Sequence, residues 1–234
     1  MTDTLSDRHE STEIAVNPTV QAKYEFAQSL AMLSSPSSPT AESTRALRTH
    51  IVAQHIDYGR RALAICGASP NVGCTFTAVN LAVALSQIGL KTLLIDANLR
   101  DPTLETYIQP AHPARGLAQS LEATDDIWLD YVNSDVIPDL SLMYAGQKVA
   151  DAQALLAKYR FETLVDFCLR NFDVTLFDTP AANSCADARL ISKVVRYSLI
   201  VTRKNVTFVD DVKTLIGQLE ADDVNVIGTV FNQA

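Results

Sequence analysis

The sequence predicts an α/β fold: a doubly wound, mostly parallel sheet with helices on both of its faces. Three short apolar runs support this prediction, at residues 62–66, 92–95 and 174–177, because such runs are typical of strands buried on both faces. Amphipathic segments with helical spacing separate these runs. Alternating strands and helices indicate a parallel sheet, since parallel strands need crossover connections. In such sheets, ligands bind at the carboxyl ends of the strands.

The remaining elements follow from the same patterns. Further strands are predicted at residues 141–144, 198–202 and 226–231. Helices are predicted where apolar residues recur at helical spacing, at residues 75–88, 151–171, 186–195 and 208–221. We therefore assign residues 41–234 to one folded domain.

Residues 1–40 differ in composition from the rest of the chain and are predicted to form a flexible acidic tail. The stretch ends in the Ser/Pro run of residues 34–40, which is too poor in apolar groups to pack. Within it, residues 20–33 have helix-like apolar spacing. Two interpretations of that segment stay open, a helix that docks on a partner and a transient helix in a tether.

Composition excludes several classes of protein. Lys and Arg number 19 against 27 Asp and Glu, a net charge of −8, which argues against a nucleic-acid-binding face. No apolar run approaches the roughly 20 residues that cross a bilayer, and the polar, acidic start of the chain does not resemble a signal peptide. The four cysteines have the spacing of neither a disulfide framework nor a metal site. The expectation is a cytoplasmic protein that binds no nucleic acid.

The segment after the first apolar run has the chemistry of a phosphate-binding loop. A buried strand runs into a turn of small residues that opens a helix, so backbone N–H groups and a helix N-terminus face an anion. In a working P-loop, the final glycine is followed by Lys for the β/γ-phosphates and then by Ser or Thr for Mg²⁺. Here a cysteine stands in the place of that lysine. The candidate nucleotide-binding residues are Ser69, Pro70, Asn71, Val72, Gly73, Cys74, Thr75 and Phe76.

Two aspartates end neighbouring strands where a P-loop protein needs carboxylates. Asp96 follows the run at 92–95, and Asp178 follows the run at 174–177, in the position of a Walker B carboxylate. A single strand-terminal Asp is more often a turn or cap residue. Together with the loop, the two aspartates predict catalytic carboxylates and a Mg²⁺ site formed by Thr75, Asp96 and Asp178, in a P-loop NTPase-like, three-layer fold.

The motifs resemble those of the bacterial tyrosine kinases (BY-kinases) of capsule and exopolysaccharide synthesis, which are relatives of the MinD/ParA P-loop ATPases. The family pattern SP-x-x-GKT/S is met from Ser69 to Gly73, broken at Cys74 and resumed at Thr75. Its LLIDADLR-x-P segment matches residues 93–102, except that Asn98 replaces an aspartate. The resemblance extends from about residue 41 to residue 233.

Two further matches imply roles for residues outside the loop. The resemblance places Asn232, in a VFN sequence near the end of the chain, close to the adenine. It also makes Glu42, Arg45 and Arg48 an E-x-x-R-x-x-R element that contacts the neighbouring subunit of a ring, which implies a homo-oligomer. Spacing alone favours a different interpretation of this stripe, a solvated helix face that carries local ion pairs, and the resemblance reverses that preference.

The departures from the family pattern predict weak nucleotide binding and a pseudokinase. Cysteine has no fixed positive charge, and Asn98 removes a second carboxylate, so ATP or ADP with Mg²⁺ should bind weakly and phosphotransfer should be poor or absent. The chain also stops just after its last strand, without the clustered tyrosines that such kinases phosphorylate in one another. A thiolate at the helix N-terminus is an alternative role for Cys74.

The resemblance implies a regulatory or scaffold partner of a membrane-anchored polysaccharide co-polymerase of the Wzz type. The protein would be cytoplasmic and peripheral at the inner membrane through that partner. One alternative is a competent kinase or ATPase of the same pathway, with a lysine such as Lys204 supplied from elsewhere. Another is a MinD/ParA-like positioning ATPase, although Ser69 stands where those relatives carry a signature lysine.

Overall fold

The computed structural model describes residues 23–233, and its centre is a seven-stranded sheet of order β5-β6-β3-β7-β2-β8-β9. All neighbouring strands are parallel except β5 and β6. A separate antiparallel pair joins β1 and β4. The strands are β1 Tyr24–Phe26, β2 Ala62–Gly67, β3 Thr92–Asp96, β4 Ile108–Pro110, β5 Asn133–Ile137, β6 Leu140–Met143, β7 Val174–Asp178, β8 Tyr197–Arg203 and β9 Asn225–Asn232. The doubly wound, mostly parallel sheet is confirmed.

Eight α-helices in the described range cover the two faces of this sheet. They are α1 Ala31–Ser34, α2 Pro39–Gln54, α3 Cys74–Ser86, α4 Leu117–Glu122, α5 Ala152–Leu156, α6 Tyr159–Asn171, α7 Asp187–Val195 and α8 Val209–Ala221. Short 3-10 helices lie at Ile56–Tyr58, Leu104–Thr106 and Trp128–Tyr131. Across residues 23–233, no helix combines the length and the apolarity needed to span a bilayer.

The core consists of two large clusters on opposite faces of the sheet. Leu63 and Ile65 of β2 pack with side chains of α2 and α3. Ala64 and Cys66 of the same strand pack with side chains of α4, α5, α6 and α7. Because successive side chains of a strand point to opposite faces, this division establishes a three-layer arrangement. A smaller third cluster seats α8 against β8.

The described part of the predicted tail packs against the domain, contrary to the sequence-based expectation. The segment predicted at residues 20–33 is not one helix in its described part, residues 23–33, because β1 pairs with β4 there and only α1 is helical. Leu30 and Met32 are buried in the core, and the Met32 N–H donates to Asn80 Oδ1 at 3.3 Å. These few apolar side chains suffice because they fill space beside α3. The predicted tail at residues 1–22 lies outside the described residues.

The predicted helix at residues 151–171 is two helices. Lys158 has an extended backbone (ψ 145°), which separates α5 from α6. The break lets each segment bury its own apolar side chains, among them Leu156 in α5 and Phe161 in α6. The other predicted helices and the six predicted strands are present within two residues at most of their expected ends.

A buried histidine gives a testable dependence of stability on pH. His55 is fully buried, with its ring edge against Tyr197, and its Nε2 lies 3.1 Å from the Ala62 carbonyl oxygen. Burial lowers the pKa of His55, the Ala62 carbonyl opposes this, and the positive charge of Arg60 adds to it. The unfolded chain therefore takes up a proton near pH 6.5 that the folded chain does not. The contribution of neutral His55 to the free energy of unfolding is therefore complete above pH 6.5 and is lost as the pH falls below it.

We expect His55→Asn to flatten the pH dependence of unfolding. Between pH 7.5 and 5.5, the unchanged protein should lose about 1 kcal/mol more unfolding free energy than the variant. Urea denaturation at both pH values measures this, and comparing the two chains cancels the contribution of the carboxyl groups. The exposed His50→Asn is the matched control and should keep the original slope. Equal slopes for the unchanged chain and His55→Asn would contradict the assignment.

Candidate functional site

The loop between β2 and α3 has the backbone conformation of an anion cradle. Asn71 and Gly73 have positive φ angles of 59° and 95°, and α3 begins at Cys74. A Cβ atom at Gly73 would lie 2.3 Å from Asn232 Nδ2, so the close approach of β9 requires glycine there. The first N–H groups of a helix have no partner within the helix, which leaves those of α3 directed toward the loop.

A cavity of about 410 Å³ opens in front of this loop, at the carboxyl ends of β2, β3 and β7. It is lined by every candidate nucleotide-binding residue from Ser69 to Phe76. The other lining residues are Asn98, Arg100, Asp101, Thr103, Thr106, Tyr107, Thr179, Pro180, Ala181, Ser184 and Cys185. Asn232 does not line this cavity. It lines a neighbouring one of about 550 Å³, and its amide donates to the Val72 carbonyl at 3.1 Å.

Thr75 and Asp178 form the part of the site that suits a magnesium ion. The Thr75 hydroxyl donates to Asp178 Oδ2 at 2.6 Å and lies 2.8 Å from the Thr103 hydroxyl. Asp178 Oδ1 is buried without a hydrogen-bond partner among the described residues. Burial, reinforced by the charge of Asp96, raises the pKa of Asp178 well above its ordinary value. An uncompensated carboxylate oxygen beside a hydroxyl is a ligand set that Mg²⁺ accepts, with phosphate oxygens completing the coordination.

Asp96 lies beside Asp178 in the register of β3 and β7 but has a different environment. Its Oδ1 accepts the Asn98 N–H at 3.0 Å, and its Oδ2 accepts those of Thr103 and Leu104 at 3.1 and 3.0 Å. Burial raises its pKa to about 6, although these three hydrogen bonds oppose the shift. Both oxygens are thus engaged in holding the segment after β3. Asp178 fits a metal ion better than Asp96 does.

The surroundings of Cys74 favour the thiol over the thiolate. Burial is the main cause that raises the pKa of Cys74, and the nearby carboxylate of Asp178 raises it further. The Cys74 Sγ lies only 2.8 Å from where a Cβ atom at Gly67 would be, so the side chain packs against the end of β2 at the edge of the cavity.

Asn98 and Arg100 also border the cavity. The Asn98 amide donates to the Asp101 carbonyl at 2.6 Å, and its Oδ1 accepts the Asp101 N–H at 3.2 Å, so the side chain closes a turn. A carboxylate could not donate the first of these bonds. Arg100 binds the buried carboxylate of Asp187 through Nε and Nη2, at 2.7 and 3.1 Å.

The E-x-x-R-x-x-R stripe lies on α2. Glu42 and Arg45 form an ion pair at 3.2 Å, and Arg45 also donates to the Pro36 carbonyl at 2.7 Å. Arg48 reaches the Ala84 carbonyl of α3 at 3.3 Å. Both arginines thus have contacts within the chain, whereas the Glu42 side chain is 77% exposed.

Among the residues around the loop that sequence reasoning missed, Arg203 makes a direct contact with the loop's backbone. Arg203, the last residue of β8, donates from Nη1 to the Asn71 carbonyl at 3.0 Å. A cation at a strand end was the available signal, and it led to the neighbouring Lys204 as the substitute for a loop lysine. The backbone N–H of Lys204 binds the Asn232 carbonyl at 3.0 Å.

This geometry agrees with a family-level match. The sequence model of the family described as ATPase MipZ matches residues 67–232, from the start of the phosphate loop to the end of β9. The chain belongs to this family. The resemblance to bacterial tyrosine kinases is supported by individual proteins.

Curated relatives of this MipZ-family chain are named tyrosine-protein kinases. EpsB of Ralstonia solanacearum is 30% identical over 197 residues, which are 84% of this chain and 26% of EpsB. YwqD of Bacillus subtilis is 28% identical over 209 residues, 86% of this chain and 84% of YwqD. The kinase domain of Escherichia coli ETK superposes with a TM-score of 0.79 at 26% identity, covering 88% of this chain and 80% of that domain. The chain therefore spans about a quarter of EpsB but most of YwqD.

Proposed function

We propose that this chain is a BY-kinase-like regulatory or scaffold protein of capsule or exopolysaccharide synthesis. It binds ATP or ADP with Mg²⁺ weakly and transfers phosphate poorly or not at all. One observation carries the proposal: the Thr75–Asp178 pair and the glycine-shaped loop are retained, while position 74 holds a cysteine, which has no fixed positive charge. The names of the relatives supply the ancestral activity, that of a tyrosine-protein kinase. The pathway comes from the resemblance of the motifs to those of the BY-kinases.

The expected loss of affinity follows from the missing charge. A hydrogen bond to a charged group contributes about 1.5–3 kcal/mol, so binding should weaken by one to two orders of magnitude. Backbone N–H groups and the helix N-terminus still favour an anion, which is why binding persists. Catalysis should suffer more, because phosphoryl transfer depends on stabilising the charge that develops in the transition state.

A phosphotransfer assay tests the proposed absence of kinase activity. Purified protein incubated with radiolabelled Mg-ATP should show no tyrosine phosphorylation above that of Asp178→Ala, a variant that lacks the metal-site carboxylate. Phosphorylation that Asp178→Ala abolishes would favour the alternative, an active kinase or ATPase of the same pathway. The family description as an ATPase gives that alternative its support.

The partner we propose is the cytoplasmic segment of a membrane-anchored, Wzz-type polysaccharide co-polymerase, which would hold the protein at the inner membrane. The resemblance of the motifs to those of the BY-kinases supports this partner. The second alternative, a MinD/ParA-like positioning ATPase, is distinguished by co-sedimentation. Direct binding to liposomes without the co-polymerase segment would favour it.

We also propose that Glu42, Arg45 and Arg48 form a homo-oligomer interface. Replacing all three by alanine should convert the oligomer to a monomer in analytical ultracentrifugation. The monomer should stay folded, because the exposed Glu42–Arg45 pair contributes only about 0.2–1 kcal/mol. The pair Asp166→Ala with Arg170→Ala removes another exposed helical ion pair and serves as the control. An unchanged mass for the triple variant would refute the interface.

A further inference from the structure

Two adjacent strand ends bind two successive carbonyl groups of the phosphate loop. Arg203 and Asn232 are Cα partners in the parallel register of β8 and β9. Arg203 Nη1 donates to the Asn71 carbonyl at 3.0 Å, and Asn232 Nδ2 donates to the Val72 carbonyl at 3.1 Å. Residues 71–72 of the loop are therefore hydrogen-bonded to the sheet by two side chains.

These contacts set the direction of the loop's N–H groups. In a planar trans peptide, the C=O of one residue and the N–H of the next point in opposite directions. Holding the Asn71 and Val72 carbonyls on the side of the strands turns the N–H groups of Val72 and Gly73 away from them. The positive φ angles of Asn71 and Gly73 allow this arrangement. Successive N–H groups on one side of a loop form a concave anion site.

Arg203 also brings a charge that the loop itself lacks. Among the Lys and Arg side chains of residues 23–233, only Arg203 donates a hydrogen bond to the backbone of residues 69–75. Arg100 borders the cavity, but the buried carboxylate of Asp187 binds it in bidentate fashion and offsets its charge. A guanidinium group carries a fixed positive charge in proteins.

We propose that Arg203 is the positioning residue of the phosphate loop and supplies, from β8, the positive charge that position 74 lacks. The ligand class is a nucleoside di- or triphosphate, so this inference rests on the proposed nucleotide binding. Arg203 acts on the ligand through the Asn71 peptide and through its own charge.

A double-mutant cycle between positions 74 and 203 tests the inference. Mg-ATP titrations by calorimetry compare the unchanged chain, Arg203→Gln, Cys74→Lys and the double variant. In the chain with Cys74, we expect Arg203→Gln to weaken Mg-ATP binding roughly fivefold or more. In the Cys74→Lys variant it should weaken binding only about twofold or less, because the lysine already supplies the positive charge. Arg170→Gln removes the same charge from the end of α6, before β7 at the opposite end of the sheet, and should change nothing. Thermal unfolding of Arg203→Gln should stay within about 2 °C of the unchanged chain, because Arg203 is not buried.

Each outcome separates this inference from the proposed function. Equal weakening by Arg203→Gln in both backgrounds would overturn the claim that Arg203 supplies the missing charge. No weakening in either background would overturn the role of Arg203 altogether. Both outcomes leave nucleotide binding intact. Binding by Cys74→Lys but not by the unchanged chain would also overturn it, since Arg203 would then be no substitute. If no chain of the cycle binds Mg-ATP, the proposed nucleotide binding itself fails.

Discussion

Cys74→Lys should raise the affinity for Mg-ATP at least tenfold. Residue 74 borders the cavity and opens α3, so a lysine there reaches the space in front of the loop. The rest of the cradle is present, including the left-handed Gly73 and the Thr75–Asp178 pair. A charge-assisted hydrogen bond to phosphate contributes about 1.5–3 kcal/mol, a factor of ten or more in the dissociation constant.

Calorimetric titration of the purified chain measures this gain, and Cys74→Ala is the matched control. Alanine removes the thiol without adding charge, so its affinity should equal that of the unchanged protein. Equal affinities for Cys74→Lys and Cys74→Ala would show that phosphates do not occupy the loop. The nucleotide part of the proposed function would then have to be abandoned.

Gly116→Ala should cause the largest loss of stability among single methyl additions to this chain's glycines. A Cβ atom at Gly116, just before α4, would lie 1.9 Å from the Tyr144 carbonyl oxygen and 2.7 Å from the Gly146 nitrogen. These are backbone atoms, and the Tyr144 carbonyl also accepts the Leu117 N–H at 2.8 Å, so neither side can move freely. Overpacking typically costs about 1–3 kcal/mol, and a clash with backbone atoms on both sides places this substitution at the upper end, about 3 kcal/mol.

The thermal midpoint of Gly116→Ala should therefore fall by roughly 6–12 °C, given 2–4 °C per kcal/mol for a chain of this size. Gly217→Ala is the control, because nothing lies within 4 Å of its added methyl group and the residue is inside α8. Alanine favours a helix over glycine, so that variant should keep or raise the midpoint. A midpoint for Gly116→Ala within 2 °C of the unchanged chain would mean that α4 and the strand β6 can separate at little cost.

Six of the seven strands of the central sheet were predictable because they are apolar runs. The edge strand β5 was not predicted, because its sequence begins with the polar residues 133–135. The three-residue strands β1 and β4 were not predicted either, since so short a pairing has no periodicity to detect. The burial of Leu30 and Met32 depends on space beside α3 that only the assembled fold defines. The Ser/Pro run at residues 34–40 therefore led to the prediction of a flexible tail, although the residues just before it are packed in the core.

The residues of the candidate site were predictable, but their hydrogen-bond partners were not. The order of loop and aspartates along the chain located Thr75 and Asp178 together, as the structure shows. That Asp96 would use both oxygens on backbone N–H groups depends on the path of residues 98–104, which has no sequence signature. The choice between Arg203 and Lys204 was equally hidden, because neighbouring residues at a strand end point in different directions.

The position of Asn232 on β9 has a mechanical consequence. Among the described residues β9 pairs only with β8, so it is held along one side and is the sheet's outermost strand next to the loop. An edge strand is displaced more easily than an inner strand. This one binds the Val72 carbonyl through a hydrogen bond from the Asn232 side-chain amide. A partner that contacts β9 and displaces it would therefore also displace the Val72 carbonyl, and with it the loop that faces the phosphate-binding position.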